Sequence, residues 1–579
     1  MNETALPIAY VGTLVGESTS EEFRLAIHAG SVREQDIIAV DADLQKPDTN
    51  EMEKIRVWAK VQRIERINPL FPQEAGHELA QTRTNPLDTV LSFSREMVTA
   101  VCRVLGYEPR DGTSEGRLDH LRYPAQPATS AYQPATLDLS RIVLGEMKEG
   151  RGLDLARLAN RTDIDVKVDG HAVVTRHVAI LAMTGAGKSW TARRLIEQLA
   201  TKNYPIVIFD PHGDYARLHE IASLKGHVRR YYADFPVFEE DAETVASIVG
   251  TLGYDLSGSM QNLFGDVFQA AGAFITDDEQ ERRERSQWLG EAVSNPNISQ
   301  YGIRSDLWLI ANMARAAQLT IQKKDTEKQK YLLQFWRKVA NYSGTDARTL
   351  EAISNRTYKA AKVLHRMAET NRKVADTHDP IPSDRSELVT YGRVSVVSLA
   401  GYTSDFQATI FSIIASDIFG KRVRGELAYQ VLFVMEEAHN FAPAHATTSA
   451  EHRSIMVTRQ IAQEGRKFGV GLVLISQRPS RLDETTLSQC NSQIIMRMIN
   501  PADQNFVRRV VETLGDEDIR MLSGLDVGEA ILAGQMTNFP VLARIKEPTS
   551  KGQREEGHDA FAILEKEHRS VTNRRQQRT

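Results

Sequence analysis

Five near-continuous apolar runs set the tightest limit on how this chain folds. They are HVAILAM (177–183), YPIVIFD (204–210), RVSVVSL (393–399), YQVLFVM (429–435) and GVGLVLIS (469–476). A strand with one wet face alternates apolar and polar residues. Runs this uniformly apolar suit strands covered on both faces, as in a parallel sheet flanked by helices. Segments suited to helices separate them, so an α/β core is expected from about residue 140 onward.

The flanks read differently. Residues 7–14, 35–41 and 54–65 are short, rich in β-branched and aromatic residues, and neighboured by Gly and Asp, which predicts the strands of a small barrel or sandwich. Residues 87–106 have apolar spacing closer to that of a helix, and Pro124–Thr136 (PAQPATSAYQPAT) reads as an extended connection. Between about 240 and 385, the segments RRERSQWLGEAV, DLWLIANMARAAQLTIQ and KQKYLLQFWRKVANYS are amphipathic at helical spacing. That stretch is too long for one crossover, which predicts a helical subdomain inserted into the core. The residues after Pro548 are polar and mixed in charge and are expected to fray. The expected divisions are 1–139, 140–240, 241–385, 386–548 and 549–579.

Charge and cysteine count remove several classes. The formal net charge is −5. A protein that coats duplex DNA with a whole basic face is usually basic, so any DNA contact here is expected to be confined to a pore or a small patch. Two cysteines, Cys102 and Cys490, exclude a disulfide framework and a cysteine zinc ribbon, and read as buried thiols. No run approaches the roughly 18 apolar residues of a membrane span, and the first residues lack a basic leader pattern, so a cytoplasmic location without membrane insertion is expected.

The segment AMTGAGKS, Ala182 to Ser189, follows the first apolar run and precedes the helical pattern WTARRLIEQLA. This is the setting of a phosphate-binding loop. Gly185 and Gly187 permit the tight turn that aims backbone N–H groups at phosphate oxygens, and the following helix adds its N-terminal dipole. Thr184, Gly185, Ala186, Gly187, Lys188, Ser189 and Trp190 are the expected nucleotide contacts, with Lys188 on the β- and γ-phosphates and the Ser189 hydroxyl on Mg²⁺. The usual pattern begins with Gly where this chain has Ala182, which requires a backbone there that is not left-handed.

YQVLFVMEEAHN ends a strand in two acids. Glu436 takes the metal-side position, where Asp is commoner, and Glu437 the position beside the attacking water. If the strand continued through both, they would point to opposite faces. FDPHGDY carries Asp210, His212 and Asp214 to the C-terminal end of the second apolar run, the edge where open α/β sheets bind ligands. Gln477, after the last run, is a candidate to hold the γ-phosphate or the lytic water. Arg466, at the end of the helical pattern before that run, suits a finger reaching a neighbouring subunit's phosphates, with Arg478 as a second candidate. Cations are also favoured at helix C-termini by the dipole alone.

RHVAILAMTGAGKS, IVIFDPHGDY, VLFVMEEAHNFAP, IAQEGRKFGVGLVLISQRPS and GEAILAG together resemble the HerA family of the HerA/FtsK ring motors, over roughly residues 140 to 545. The N-terminal segment is similar to the small (HAS-type) barrel that precedes the motor in that family. The resemblance implies a RecA-like P-loop ATPase core, a homohexamer that hydrolyses ATP and moves along double-stranded DNA, and a nuclease or other effector docked on one face, in DNA end processing or defence against phage. A ring that uses ATP only as a switch, and serves to assemble and regulate its effector, is the alternative that the residues leave open.

Overall fold

The computed structural model describes residues 10–45, 52–68, 96–110, 116–145, 147–233, 237–252, 254–256, 258–295, 306–323, 332, 346–374 and 378–548. The first strands are β1 (Tyr10–Ser18), β2 (Glu22–Ile27), β3 (Ile37–Gln45), β4 (Met52–Ile67), β5 (Met97–Pro109) and β6 (Ser130–Tyr132). They form a closed barrel in the order β1-β2-β5-β4-β3-β6.

Two expectations fail here. Met97–Pro109 overlaps the second half of the segment 87–106 read as helical, yet it is a strand hydrogen-bonded to β2 and β4. Ala100, Val101 and Cys102 are buried in succession, which hides the two-residue period. The β-branched Val98, Thr99, Val101 and Val104 then suit the pleated pairing better than a helix. Residues 87–95 of that segment lie outside the described residues. The supposed connection Pro124–Thr136 contains β6, which pairs with both β1 and β3 and closes the barrel. Three residues between prolines are too few for a strand signal, and only the two waiting edges make them one.

The larger sheet contains β7 (Gly152–Leu158), β8 (Asp165–Asp169), β9 (Val178–Leu181), β10 (Ile206–Asp210), β11 (Val228–Tyr232), β12 (Asp379–Pro380), β13 (Val394–Ser398), β14 (Val431–Met435), β15 (Val470–Ser476), β16 (Ser492–Met496), β17 (Glu529–Gly534) and β18 (Val541–Ile545). Their order is β12-β11-β13-β10-β14-β15-β9-β16-β17-β18-β7-β8. Neighbours from β12 to β16 are parallel and the remaining joins are antiparallel. The five apolar runs become β9, β10, β13, β14 and β15, the contiguous centre of the sheet.

Burial on both faces explains their composition. Ile206 and Ile208 share a core with Leu195, Ile196 and Leu199 of the helix Lys188–Ala200. Val207 and Phe209 face the other way, toward Phe411 of the helix Ser404–Arg424 and a layer that includes Phe264, Ile310 and Met313. Phe209 meets Phe411 edge-on at 4.9 Å. Each such side chain contributes about 1.5–3 kcal/mol by leaving water. That second layer comes from the helices Ala242–Thr251, Gly258–Ala273, Glu279–Ala292, Leu307–Lys323 and Asp346–Val374, which lie in the chain between β11 and β12. Apart from Leu332, the segment KQKYLLQFWRKVANYS lies outside the described residues, as does the tail 549–579.

The barrel is anchored to the sheet domain by buried polar contacts. Lys60 of β4 reaches Asp518 of the helix Asp516–Met521 at 2.8 Å, with both side chains at most 5% exposed. Asp518 also accepts from the Gly515 N–H at 3.1 Å. Nearby, the buried Glu108 accepts from Trp58 Nε1 and from both Arg141 nitrogens. Lys60→Met leaves the Asp518 charge buried without its cation, a cost of about 3–5 kcal/mol. The thermal transition of the purified variant should fall clearly below that of the unaltered protein. Adding Asp518→Leu should recover much of the loss, because the stranded charge is then gone.

Candidate active site

The site sits at the C-terminal edge of the sheet, where β9 gives way to the glycine loop. Ala182 N–H donates to the Ser476 carbonyl of β15, and Met183 N–H to the Arg497 carbonyl beyond β16. The loop therefore leaves the sheet held on both sides. Gly185 and Gly187 have φ of 80° and 105°, whereas Ala182 is not among the residues with positive φ, so its side chain is tolerated. Gly187 caps the helix Lys188–Ala200 with no side-chain hydrogen bond to the first turn. Those first-turn N–H groups are what a phosphate would take. A Cβ at Gly187 would lie 3.1 Å from Met496 Cε as well as in a left-handed backbone. Gly187→Ala therefore strains the loop by about 1–2 kcal/mol. It should weaken nucleotide binding about tenfold, read by titration with a fluorescent ATP analogue.

Lys188 and the two glutamates converge. The Lys188 ammonium lies 2.7 Å from Glu436 Oε1 and 2.5 Å from Glu437 Oε1, and all three side chains are buried. β14 ends at Met435, and Glu437 adopts a left-handed conformation with φ 47° and ψ 55°. The strand does not continue through the acids, so the expected split to opposite faces does not arise. The turn at Glu437 swings its carboxylate back to the side of Glu436. Burial works against the Lys188 charge, but the two carboxylates outweigh it and hold its pKa above the ordinary lysine value. Burial pushes the Glu436 pKa up, and Lys188 and Tyr215 pull it part of the way back. His439 Nδ1 stands 3.4 Å from Glu437 Oε2, and burial lowers its pKa.

The other candidates fall into two groups. Thr184 donates its hydroxyl to Gln477 Oε1, joining the glycine loop to the end of β15. Ser189 and Trp190 occupy the first turn of the helix and are half-buried. Ala186 is buried, and its carbonyl accepts from Gly528 N–H at 3.0 Å. Arg478 is exposed next to Gln477. Arg466 is not brought into this group. It is exposed near the C-terminal end of the helix Ser449–Phe468, before β15 begins, whereas Gln477 follows β15. Seven strand residues separate the two edges by about 20 Å, so Arg466 is out of reach of its own glycine loop.

In FDPHGDY, Asp210 is fully buried and its carboxylate accepts from the N–H groups of His212, Gly213, Asp214 and Tyr215 at 2.8 to 3.3 Å. Burial raises the Asp210 pKa, and these bonds act against that rise. His212 is exposed, and among the described residues no His, Cys, Asp and Glu cluster suits a metal held by protein alone. The reading from sequence missed Tyr215, whose hydroxyl donates to Glu436 Oε2 at 2.7 Å. FDPHGDY alone gives no signal for it, because the acid it meets lies 221 residues further along the chain.

A family model described as "Helicase HerA, central domain" matches residues 153–418. The chain is 27% identical over 513 residues to the DNA double-strand break repair helicase HerA of Pyrococcus furiosus, covering 81% of this chain and 82% of that protein. It is 24% identical over 546 residues to the protein of the same name in Sulfurisphaera tokodaii, covering 92% of each. Among solved structures, VirB4 of Thermoanaerobacter pseudethanolicus aligns with 15% identity and a TM-score of 0.41, over 69% of this chain and 98% of that one.

Proposed function

We infer the function from the premise that this chain belongs to the HerA family of P-loop ATPases. The reading is an ATP-driven motor: a homohexamer that moves along double-stranded DNA and works with a nuclease or other effector in DNA end processing or defence against phage. The observation that carries it is the meeting of Lys188, Glu436 and Glu437 at one sheet edge, from segments about 250 residues apart in the chain. The names of the Pyrococcus and Sulfurisphaera relatives support DNA as the track.

Each residue has a task in this reading. The N–H groups from Thr184 to Ser189 surround the triphosphate, and Trp190 lies beside it in the first helical turn. Lys188 leaves the two acids for the β- and γ-phosphates. Glu437, freed of its lysine, accepts a proton from the attacking water, and Gln477 orients that water. Arg466 neutralises charge on the γ-phosphate of the neighbouring subunit. The Ser189 hydroxyl and Glu436 suit Mg²⁺, an oxygen-seeking cation that would offset the triphosphate charge. In the same reading, residues 1–139 are a barrel unit, 140–240 and 386–548 the motor, 241–385 a helical insertion and 549–579 a tail. Among the described residues no helix is long and apolar enough to cross a membrane.

The test is ATP turnover by the purified assembly with and without duplex DNA. Stimulation by duplex, weakening as salt rises because phosphate contacts are screened, is the expected result. Equal rates with and without DNA, together with no DNA binding, would remove the motor reading and leave a nucleotide-switched scaffold.

A further inference from the structure

We propose that Tyr215 is a positioning residue that selects which oxygen of Glu436 faces the bound nucleotide. The proposal rests on the reading of Glu436 as the metal-side acid. Tyr215 is fully buried, and its hydroxyl donates to Glu436 Oε2 at 2.7 Å. The other oxygen, Oε1, is the one turned to Lys188, at 2.7 Å. When Lys188 moves onto the phosphates, Oε1 is left directed at the nucleotide and Oε2 stays tied to the phenol.

The tie is itself held from behind. Asp210 accepts from the Tyr215 N–H at 2.9 Å and from three earlier N–H groups of the same turn. Arg193 adds a bond to the Asp214 carbonyl at 2.6 Å, and Arg230 one to the Ala216 carbonyl at 3.0 Å. Glu436 N–H donates to the Phe209 carbonyl at 3.2 Å, so the backbones of both partners are tied to the end of β10. The arrangement answers a need that a glutamate at position 436 creates. Glu has one more side-chain torsion than the Asp usual at that position, and a carboxylate at the end of a longer stem has more orientations to lose. A Phe would fill the same apolar space. The phenol adds a single donor aimed at the acid, and such a bond to a charged group is among the stronger ones.

The test measures binding of a fluorescent ATP analogue to the full chain in EDTA and across a Mg²⁺ titration, alongside turnover. Tyr215→Phe is expected to leave affinity in EDTA within about twofold and to raise the Mg²⁺ concentration for half-maximal tight binding about tenfold. Combined with Glu436→Gln, it should add nothing beyond Glu436→Gln alone, because the two residues act as one unit. Asp210→Asn, which keeps the shape of the turn but weakens its hold on Tyr215, should shift the Mg²⁺ requirement in the same direction and by less. It serves as the test should Tyr215→Phe fail to fold. An unchanged Mg²⁺ requirement in Tyr215→Phe, an equal loss of affinity in EDTA and Mg²⁺, or additivity with Glu436→Gln would each overturn the proposal. If the unaltered protein binds the analogue equally in EDTA and Mg²⁺, the reading of Glu436 fails, and the proposal falls with it.

Discussion

Glu437→Gln is expected to bind ATP as well as the unaltered protein and to turn it over about a thousandfold more slowly, within the range lost when a general base is removed. Gln preserves the size of the side chain and can keep the left-handed turn that Glu437 adopts at φ 47°. What it lacks is an oxygen able to take a proton from water. Affinity should survive because the loop from Thr184 to Ser189 is untouched and Lys188 retains Glu436, 2.7 Å away, as its resting partner. A shared fall in affinity and turnover would mean that the glutamate only shapes the pocket. Rapid turnover by the variant would move the base elsewhere, for example to His439, whose Nδ1 lies 3.4 Å from Glu437.

Arg466→Ala should lower turnover by about three orders of magnitude, the effect of losing an arginine that stabilises charge on the transferred phosphoryl group. The loss should be repairable by mixing. Arg466 lies at the far edge of the sheet from its own glycine loop, so a subunit carrying Arg466→Ala still offers an intact Lys188 site. A subunit carrying Lys188→Ala still offers Arg466. Where the two adjoin in the proposed ring, one interface of each such pair is complete, and the mixture should regain a measurable share of activity that neither variant has alone. No recovery on mixing, with assembly verified by mass, would show that Arg466 supplies no neighbouring site and serves only the helix end, where the dipole favours a cation in any case.

The parts legible in the sequence are those whose cause is local or nearly so. Uniform apolar runs disclosed β9, β10, β13, β14 and β15 because burial on both faces leaves no polar alternation to confuse. The glycine loop was legible because φ of 80° and 105° admits few residues other than Gly. The illegible parts depend on partners distant in the chain. β6 is a strand only because β1 and β3 offer their edges to it, and β5 only because β2 and β4 flank it. Lys60 and Asp518 are 458 residues apart, and each alone reads as a solvated charge. Tyr215 and Glu436 are 221 residues apart, and nothing in either segment names the other. At Glu436 and Glu437 the condition for the two acids to face apart is not met, because β14 ends at Met435, directly before them.

The central claim is that one loop and one strand end, remote in the chain, share a triphosphate. A structure of the Glu437→Gln protein with ATP and Mg²⁺ measures this most directly, through the separation of Lys188 from residues 436 and 437. The account predicts a triphosphate along Thr184 to Ser189, with the lysine ammonium drawn away from both side chains and onto phosphate oxygens. Nucleotide bound elsewhere while Lys188 keeps its 2.7 Å contact with Glu436 would contradict it.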